Sequence, residues 1–308
     1  MLLTTVTVVL VYALSTTAES TTYLIGVTAA IIAGIAFNLG MVIQKLAVKK
    51  TSRDIGLMHQ LVRSPLWLSG FALQFIVGMP LNMLAQSKIG PAIIPGLMAI
   101  GLIVLTIGAV RLAGESLDIG DIAGILLVIV AVTLFGFSRL SVDMQSLNLW
   151  DPAFLLRISL FTVTVAALSL FCHFAQKKNV RMRGILRTLD AGLLLSQSNL
   201  WLGILMVFLA KWGIGMFTPL DLLPVIVASG IVFAGSMLGI AETQRAFQFG
   251  EASKLVPIQY VPVQILPIAA YFIVFRLSPS NPISLPLALG GIVLVLFGAV
   301  LLGRRQKV

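Results

Sequence analysis

Of the 308 residues, 58% are hydrophobic and only 10% are charged, well short of the roughly 25% charge of an ordinary soluble domain. Water is therefore not the main solvent of this chain. The formal charge of +10 would suit a polyanion, but the cations stand in short blocks between apolar runs, the pattern of cytoplasmic loops, so no nucleic-acid partner is indicated.

Apolar runs long enough to cross about 30 Å of hydrocarbon recur along nearly the whole sequence. Period-two alternation, the mark of a β-barrel, is missing. The chain opens with an apolar stretch to Leu14 that is short for a span and is followed by Ser15, Thr16, Thr17 and Ala18. A cleaved signal over residues 1–22, a short extra span and a misplaced start codon all fit it. Spans are then expected at 23–44, 66–86, 89–110, 119–138, 152–175, 188–210, 221–247, 255–275 and 283–303. The fold class is thus an all-α polytopic membrane protein with nine helices, or ten if the N-terminal stretch also crosses. If residue 23 starts outside, all but five of the 21 Lys and Arg residues fall inside, the exceptions being Lys88, Arg139, Arg157, Lys211 and Arg276. That asymmetry points to a multi-pass protein of the plasma (cytoplasmic) membrane with the basic tail 304–308 inside.

Two halves echo one another. Gly124-Ile-Leu-Leu-Val near the end of 23–138 matches Gly291-Ile-Val-Leu-Val near the end of 152–303, and each has a further glycine twelve residues on, at Gly136 and Gly303. Gly90-Pro91-Ala92 leading to Pro95 is answered more weakly by Gly250-Glu251-Ala252 leading to Pro257. The spans that follow these two turns run in opposite directions, so a four-helix and a five-helix repeat, joined by an outer linker at 139–151, would be inverted. Such repeats recur in secondary transporters.

Polar groups near mid-span are costly in hydrocarbon and mark the places where a pathway is sought. They are Asn38, Gln74, Asn82, Gln197, Asn199, Gln259, Tyr260 and Gln264. Asn38, Asn82, Gln197 and Gln264 are expected to line a substrate site. Pro80, Pro95, Pro257, Pro262 and Pro267 are candidate helix breaks that free backbone carbonyls for the same cavity. The structural alternative for each amide is interhelical glue.

Among the carboxylates, Glu242 stands three residues before Arg245 and Asp190 three after Arg187, spacings that fit either ion pairs or a coupling relay. Asp121 begins the fourth span, and Glu115 reads as a solvated cap. Gly120 to Gly124 and Gly235 to Gly239 are small-xxx-small packing motifs, and Met79, Met83 and Met98 read as core filler. The single cysteine, Cys172, and the two histidines, His59 and His173, offer no Cys/His metal cluster or disulfide by spacing. No cofactor is called for, and a membrane enzyme lacks its nucleophile-base or carboxylate pair.

Several further segments stand out: Gly40-Met-Val-Ile-Gln-Lys45, the Ala85 to Ala99 region, Gly114-Glu115-Ser116-Leu117, Asp151-Pro152, Thr243-Gln-Arg-Ala246 and Val256-Pro257-Ile-Gln-Tyr260. Together they resemble the drug/metabolite transporter superfamily (EamA-like), and most closely its NIPA-type magnesium-transporter branch. The resemblance implies a four-plus-five helix arrangement and transport of a small solute or cation, Mg²⁺ or another divalent included, by alternating access. One position departs from that branch: the glutamate usual shortly before the asparagine of the second span is Met79 here, ahead of Asn82. A thioether is a poor ligand for so hard a cation as Mg²⁺. Export of a neutral or organic metabolite is the alternative, with a non-transporting scaffold behind it. The partners expected are the bilayer and a small-molecule or ion substrate, and the oligomeric state is left open.

Overall fold

The computed structural model describes residues 18–51, 56–89, 94–138, 140, 148–213, 215–279 and 281–304. The stretch 1–17, on which the N-terminal alternatives turn, and Gly90-Pro91-Ala92 fall outside the described residues. Within them the chain is helical and without strands. The helices are α1 (Ala18–Lys50), α2 (Leu57–Leu61), α3 (Pro65–Ala72), α4 (Met79–Ile89), α5 (Ile94–Met98), α6 (Gly101–Arg111), α7 (Ile119–Phe137), α8 (Pro152–Lys178), α9 (Arg183–Gly213), α10 (Leu222–Ala246), α11 (Ala252–Ile273) and α12 (Ser284–Arg304).

Among the described residues eight helical stretches are long and apolar enough to cross a membrane, and this makes the chain an integral, multi-pass membrane protein. The expected third span, 89–110, is instead divided into α5 and α6 with a turn at Ala99-Ile100. Its residues Pro95, Gly96 and Gly101 are poor helix formers, and the 11 residues of α6 rise only about 16 Å. In the opposite direction, the 33 residues of α1 rise about 50 Å. They outrun the hydrocarbon layer and carry Lys45, Lys49 and Lys50 to its edge.

The second span is continuous but not regular. A π-helical stretch, Leu73–Gly78, joins α3 to α4 just before Pro80. A proline inside a helix removes one donor and pushes away the carbonyl four residues back, and a π turn takes up that misfit. Pro257, Pro262 and Pro267, expected as breaks, lie inside an unbroken α11. Helix starts are closed locally. Asp118 and Asp121 form a reciprocal capping box on α7, and Asp151 accepts from Ala153 N and Phe154 N at the start of α8 with Pro152 in the first turn.

Helix α1 packs along α3, the π turn, α4, α5 and α6, while α9 packs against α8, α10 and α11. Between these groups α7 pairs with α12, and α11 touches α6, α7 and α12 as well as α9, so it joins the two sides. The α7/α12 pair runs antiparallel: an added Cβ on Gly124 would meet Leu302 Cγ at 2.8 Å, and one on Gly291 would meet Phe135 Cε1 at 2.5 Å. Gly291→Ala is therefore expected to overpack this seam by about 1–3 kcal/mol and to lower the thermal midpoint in detergent. An unchanged melting curve would remove the close approach.

Leu156, Val163 and Phe171 on α8, Phe233 on α10 and Val293 on α12 are exposed, a girdle for hydrocarbon rather than water to cover. Met79 and Met83, expected in the core, are also exposed, on α4. Met98, by contrast, packs as expected against a small cluster of Ala29, Ala30, Ala85 and Ile94.

Candidate functional site

The mid-span amides divide into engaged and unengaged groups. Gln244 Nε2 donates to Gln44 Oε1 at 2.6 Å, Gln44 Nε2 donates to Gln74 Oε1 at 2.9 Å, and Gln74 Nε2 donates to the Phe37 carbonyl at 3.0 Å. This buried relay ties α10 through α1 to the π turn. It depends on glycine: Gly40 and Gly70 let the backbones meet, since a Cβ on Gly70 would sit 2.7 Å from Gly40 O. Gln74 is thus structural glue. Gln259 is likewise engaged, donating to Thr243 Oγ1 at 3.0 Å.

Asn38 and Tyr260 are brought together, the tyrosine hydroxyl facing the Asn38 side chain across α1 and α11. Asn38 Nδ2 donates to Gly34 O at 2.8 Å, and its Oδ1 is buried with no partner. Gln197 Nε2 donates to Thr162 Oγ1 at 2.8 Å, where Trp201 Nε1 also donates at 3.0 Å; its Oε1 is orphaned too, as is Asn82 Oδ1. Gln264 is half-buried on α11, and Asn199 is exposed on α9, apart from the buried side chain of Gln197.

A second assembly lies at the end of the bundle that carries the basic segments. Glu115, expected as a solvated cap, is only 8% exposed. Its carboxylate accepts from Ala252 N at 2.7 Å, Ser253 N at 2.9 Å and Ser253 Oγ at 2.6 Å. It caps α11, whose unpaired first-turn N–H groups and partial positive charge favour an anion. Glu251 points back toward the first half, accepting from Ser116 N at 3.3 Å and from Lys254 Nζ at 2.7 Å. Lys254 also pairs with Asp121 at 3.1 Å. Two lysines one turn apart on α1 complete the clasp. Lys45 Nζ donates to Phe247 O and Gly250 O, each at 2.5 Å, and Lys49 Nζ donates to Ala113 O at 2.9 Å.

The third assembly holds the remaining charges. Glu242 accepts from Arg245 Nη1 at 2.6 Å, as the helical spacing suggested, and from Arg187 Nη1 on α9 at 2.6 Å. Because Arg187 is taken by Glu242, the expected Arg187–Asp190 pair does not form. Asp190, 2% exposed, accepts instead from Ser169 Oγ. His173 lies beside both carboxylates, with one ligand atom from each of His173, Asp190 and Glu242 within 4.8 Å of the others, and Gln176 Nε2 faces His173 Nδ1 at 3.2 Å. The donor set alone would suit a divalent ion. Its charge balance does not: both Glu242 oxygens already hold guanidinium groups, and a dication would meet two positive charges there.

Gln44 and Gln244 are the participants that sequence reasoning missed, while Glu115 and Arg187 were singled out with other partners. Gln44 and Gln244 lie inside segments already singled out, Gly40 to Lys45 and Thr243 to Ala246, and that was their only signal. No protein-family model matches the chain, and neither the curated proteins nor the solved structures gave a match.

Proposed function

We propose that the chain is a secondary transporter in which two inverted halves expose a polar mid-bundle site to one side of the membrane at a time, as the resemblance to EamA-like transporters implies. The observation that carries this reading is a set of buried acceptors with nothing to accept. Asn38 Oδ1 on α1, Asn82 Oδ1 on α4 and Gln197 Oε1 on α9 are unpaired among the described residues, each at a cost of about 1–3 kcal/mol. A permeating cation, or a solute presenting N–H or O–H donors, would satisfy them in passing.

Two further features support it. Gly124 meets Leu302 as Gly291 meets Phe135, an exchange of equivalent positions that a two-fold axis between inverted repeats would produce. The Glu115 and Glu251 clasp joins the halves at the basic end, which supports reading that end as the closed one and, from the charge asymmetry, as the cytoplasmic one.

For the cargo, the second reading is export of a neutral or organic metabolite. It is favoured by Met79, which stands exposed where the magnesium-transporting branch has its glutamate. Flux into proteoliposomes, screened across divalent cations, amino acids and nucleosides, tests both readings. Joint replacement of Asn38, Asn82, Gln197 and Gln264 by alanine is expected to cut that flux at least about tenfold, the equivalent of about 1.4 kcal/mol. Undiminished flux would remove these residues from the pathway. For magnesium itself, a magnesium-starved strain expressing the chain should take up more than one carrying the empty vector, and equality would count against that cargo.

A further inference from the structure

Behind the clasp lies a cavity of about 550 Å³ whose wall includes Lys45, Lys49, Glu115, Arg181, Phe249 and Glu251. That size falls within the 300–1,000 Å³ of small-molecule sites. Its wall comes from four segments: the end of α1, the α6–α7 connection, the α8–α9 connection and the α10–α11 connection.

The sign of its field follows from the wall itself, where three cations, Lys45, Lys49 and Arg181, outnumber two carboxylates, Glu115 and Glu251. Glu115 is saturated by three donors of the α11 start, and Glu251 is held by Lys254. Against these stand Lys45 and Lys49 from α1 and Arg181 from the α8–α9 connection. Arg181 is exposed on the short turn Val180–Met182 and has no partner among the described residues. Lys49 gives one described hydrogen bond, to Ala113 O, and an ammonium has three to give. Just behind, the Arg183 guanidinium carbon sits 5.4 Å from the centre of the Phe249 ring and adds to the positive potential, whereas Arg187, 5.6 Å from the same ring, is paired with Glu242. That excess of positive charge favours an anion over a metal ion.

We propose that this cavity is a binding site for a phosphate group, taken by Lys49 from the first half and Arg181 from the second. A lysine supplies a point charge and an arginine a fork that matches two phosphate oxygens. The two cations reach the same cavity from α1 and from the α8–α9 connection, so a phosphate held by both is a further tie between the halves and favours the closed basic end. Phosphate is presented there either by an anionic lipid headgroup or by a soluble phosphate ester. The effect on transport rests on the alternating-access reading; the binding does not.

Binding is measured first, on the purified full chain in detergent, as the shift in melting temperature with dioctanoyl phosphatidylglycerol, glycerol 3-phosphate and dioctanoyl phosphatidylcholine. Stabilisation by either anionic ligand, lost in high salt as exposed charges are screened, supports the site. Lipid alone acting identifies a headgroup, and the soluble ester also acting identifies free phosphate esters. Arg181→Gln and Lys49→Gln should each weaken the response by about tenfold or more, because charge-assisted hydrogen bonds are the strong ones. Arg181→Gln removes no described bond, so its unliganded melting curve should overlay that of the parent and keeps the test fair. Equal stabilisation by phosphatidylcholine, no stabilisation by either phosphate, or full response in Arg181→Gln would each overturn the site. Flux is measured second: ligand that binds but leaves flux unchanged overturns the tie between the halves alone, whereas absence of flux under every condition strikes the transport reading and leaves the binding result standing.

Discussion

Glu115→Ala is expected to loosen the basic end of the bundle more than any other single change in the connecting loops. The carboxylate holds two backbone donors and one hydroxyl of the α11 start, and its removal strands all three in a place where Ser253 is wholly buried. Loss of a helix cap costs about 0.5–2 kcal/mol, and buried donors left unsatisfied add about 1–3 kcal/mol, so a total of about 3 kcal/mol is expected. Glu115→Gln keeps one acceptor and should cost less. The consequence for conformation is separable from stability. With Cys172→Ser as background, Val48→Cys places a thiol in the wall of the basic cavity at a position now 3% exposed. Its labelling by an impermeant maleimide should speed up by about tenfold or more when Glu115 is replaced, as a shift of about 1.4 kcal/mol toward the open form requires. An unchanged labelling rate would mean that Glu115 staples a helix and nothing more.

That prediction rests on a contact no sequence pattern announces. Eight of the nine expected spans were legible because hydrocarbon demands a run of apolar residues wherever a helix crosses, and composition alone carries that demand. The division of 89–110 was not, although Pro95, Gly96 and Gly101 were visible, because prolines are also tolerated inside spans, as the unbroken α11 demonstrates with three. Pairing within a helix was legible where nothing competed: Arg245 reaches Glu242 at the i,i+3 distance. The same spacing failed for Arg187 and Asp190, because Arg187 reaches the second oxygen of Glu242 while Asp190 is held by Ser169. For Glu115 the partner lies 137 residues away, and a lone glutamate in a polar loop reads as solvated until the helix start it serves is brought over it. Polar residues near mid-span were found, but their spacing could not tell Gln74, spent in a relay, from Asn38, which keeps an oxygen free.

Glu242→Ala should be the most destabilising substitution in the second half. It leaves Arg187, whose side chain is 19% exposed, without its carboxylate, and Arg245, at 42%, partly able to turn to solvent. Breaking a buried pair by deleting one member costs about 3–5 kcal/mol, and the exposure of Arg245 puts the expected loss near the lower end. Replacing the pair together, as Arg187→Met with Glu242→Leu, should recover much of that loss, since apolar groups of similar volume often substitute for a buried ion pair without penalty. A double-mutant cycle on thermal or denaturant unfolding in detergent measures the difference. If the pair variant were as unstable as Glu242→Ala, the cost would lie in lost packing and not in a stranded guanidinium. The same proteins decide between an ion-pair cluster and a metal site: with two arginines on Glu242, millimolar Mg²⁺ or micromolar Zn²⁺ should leave the parent's melting temperature where it was, and a stabilisation that disappears in Glu242→Ala would instead make His173, Asp190 and Glu242 ligands.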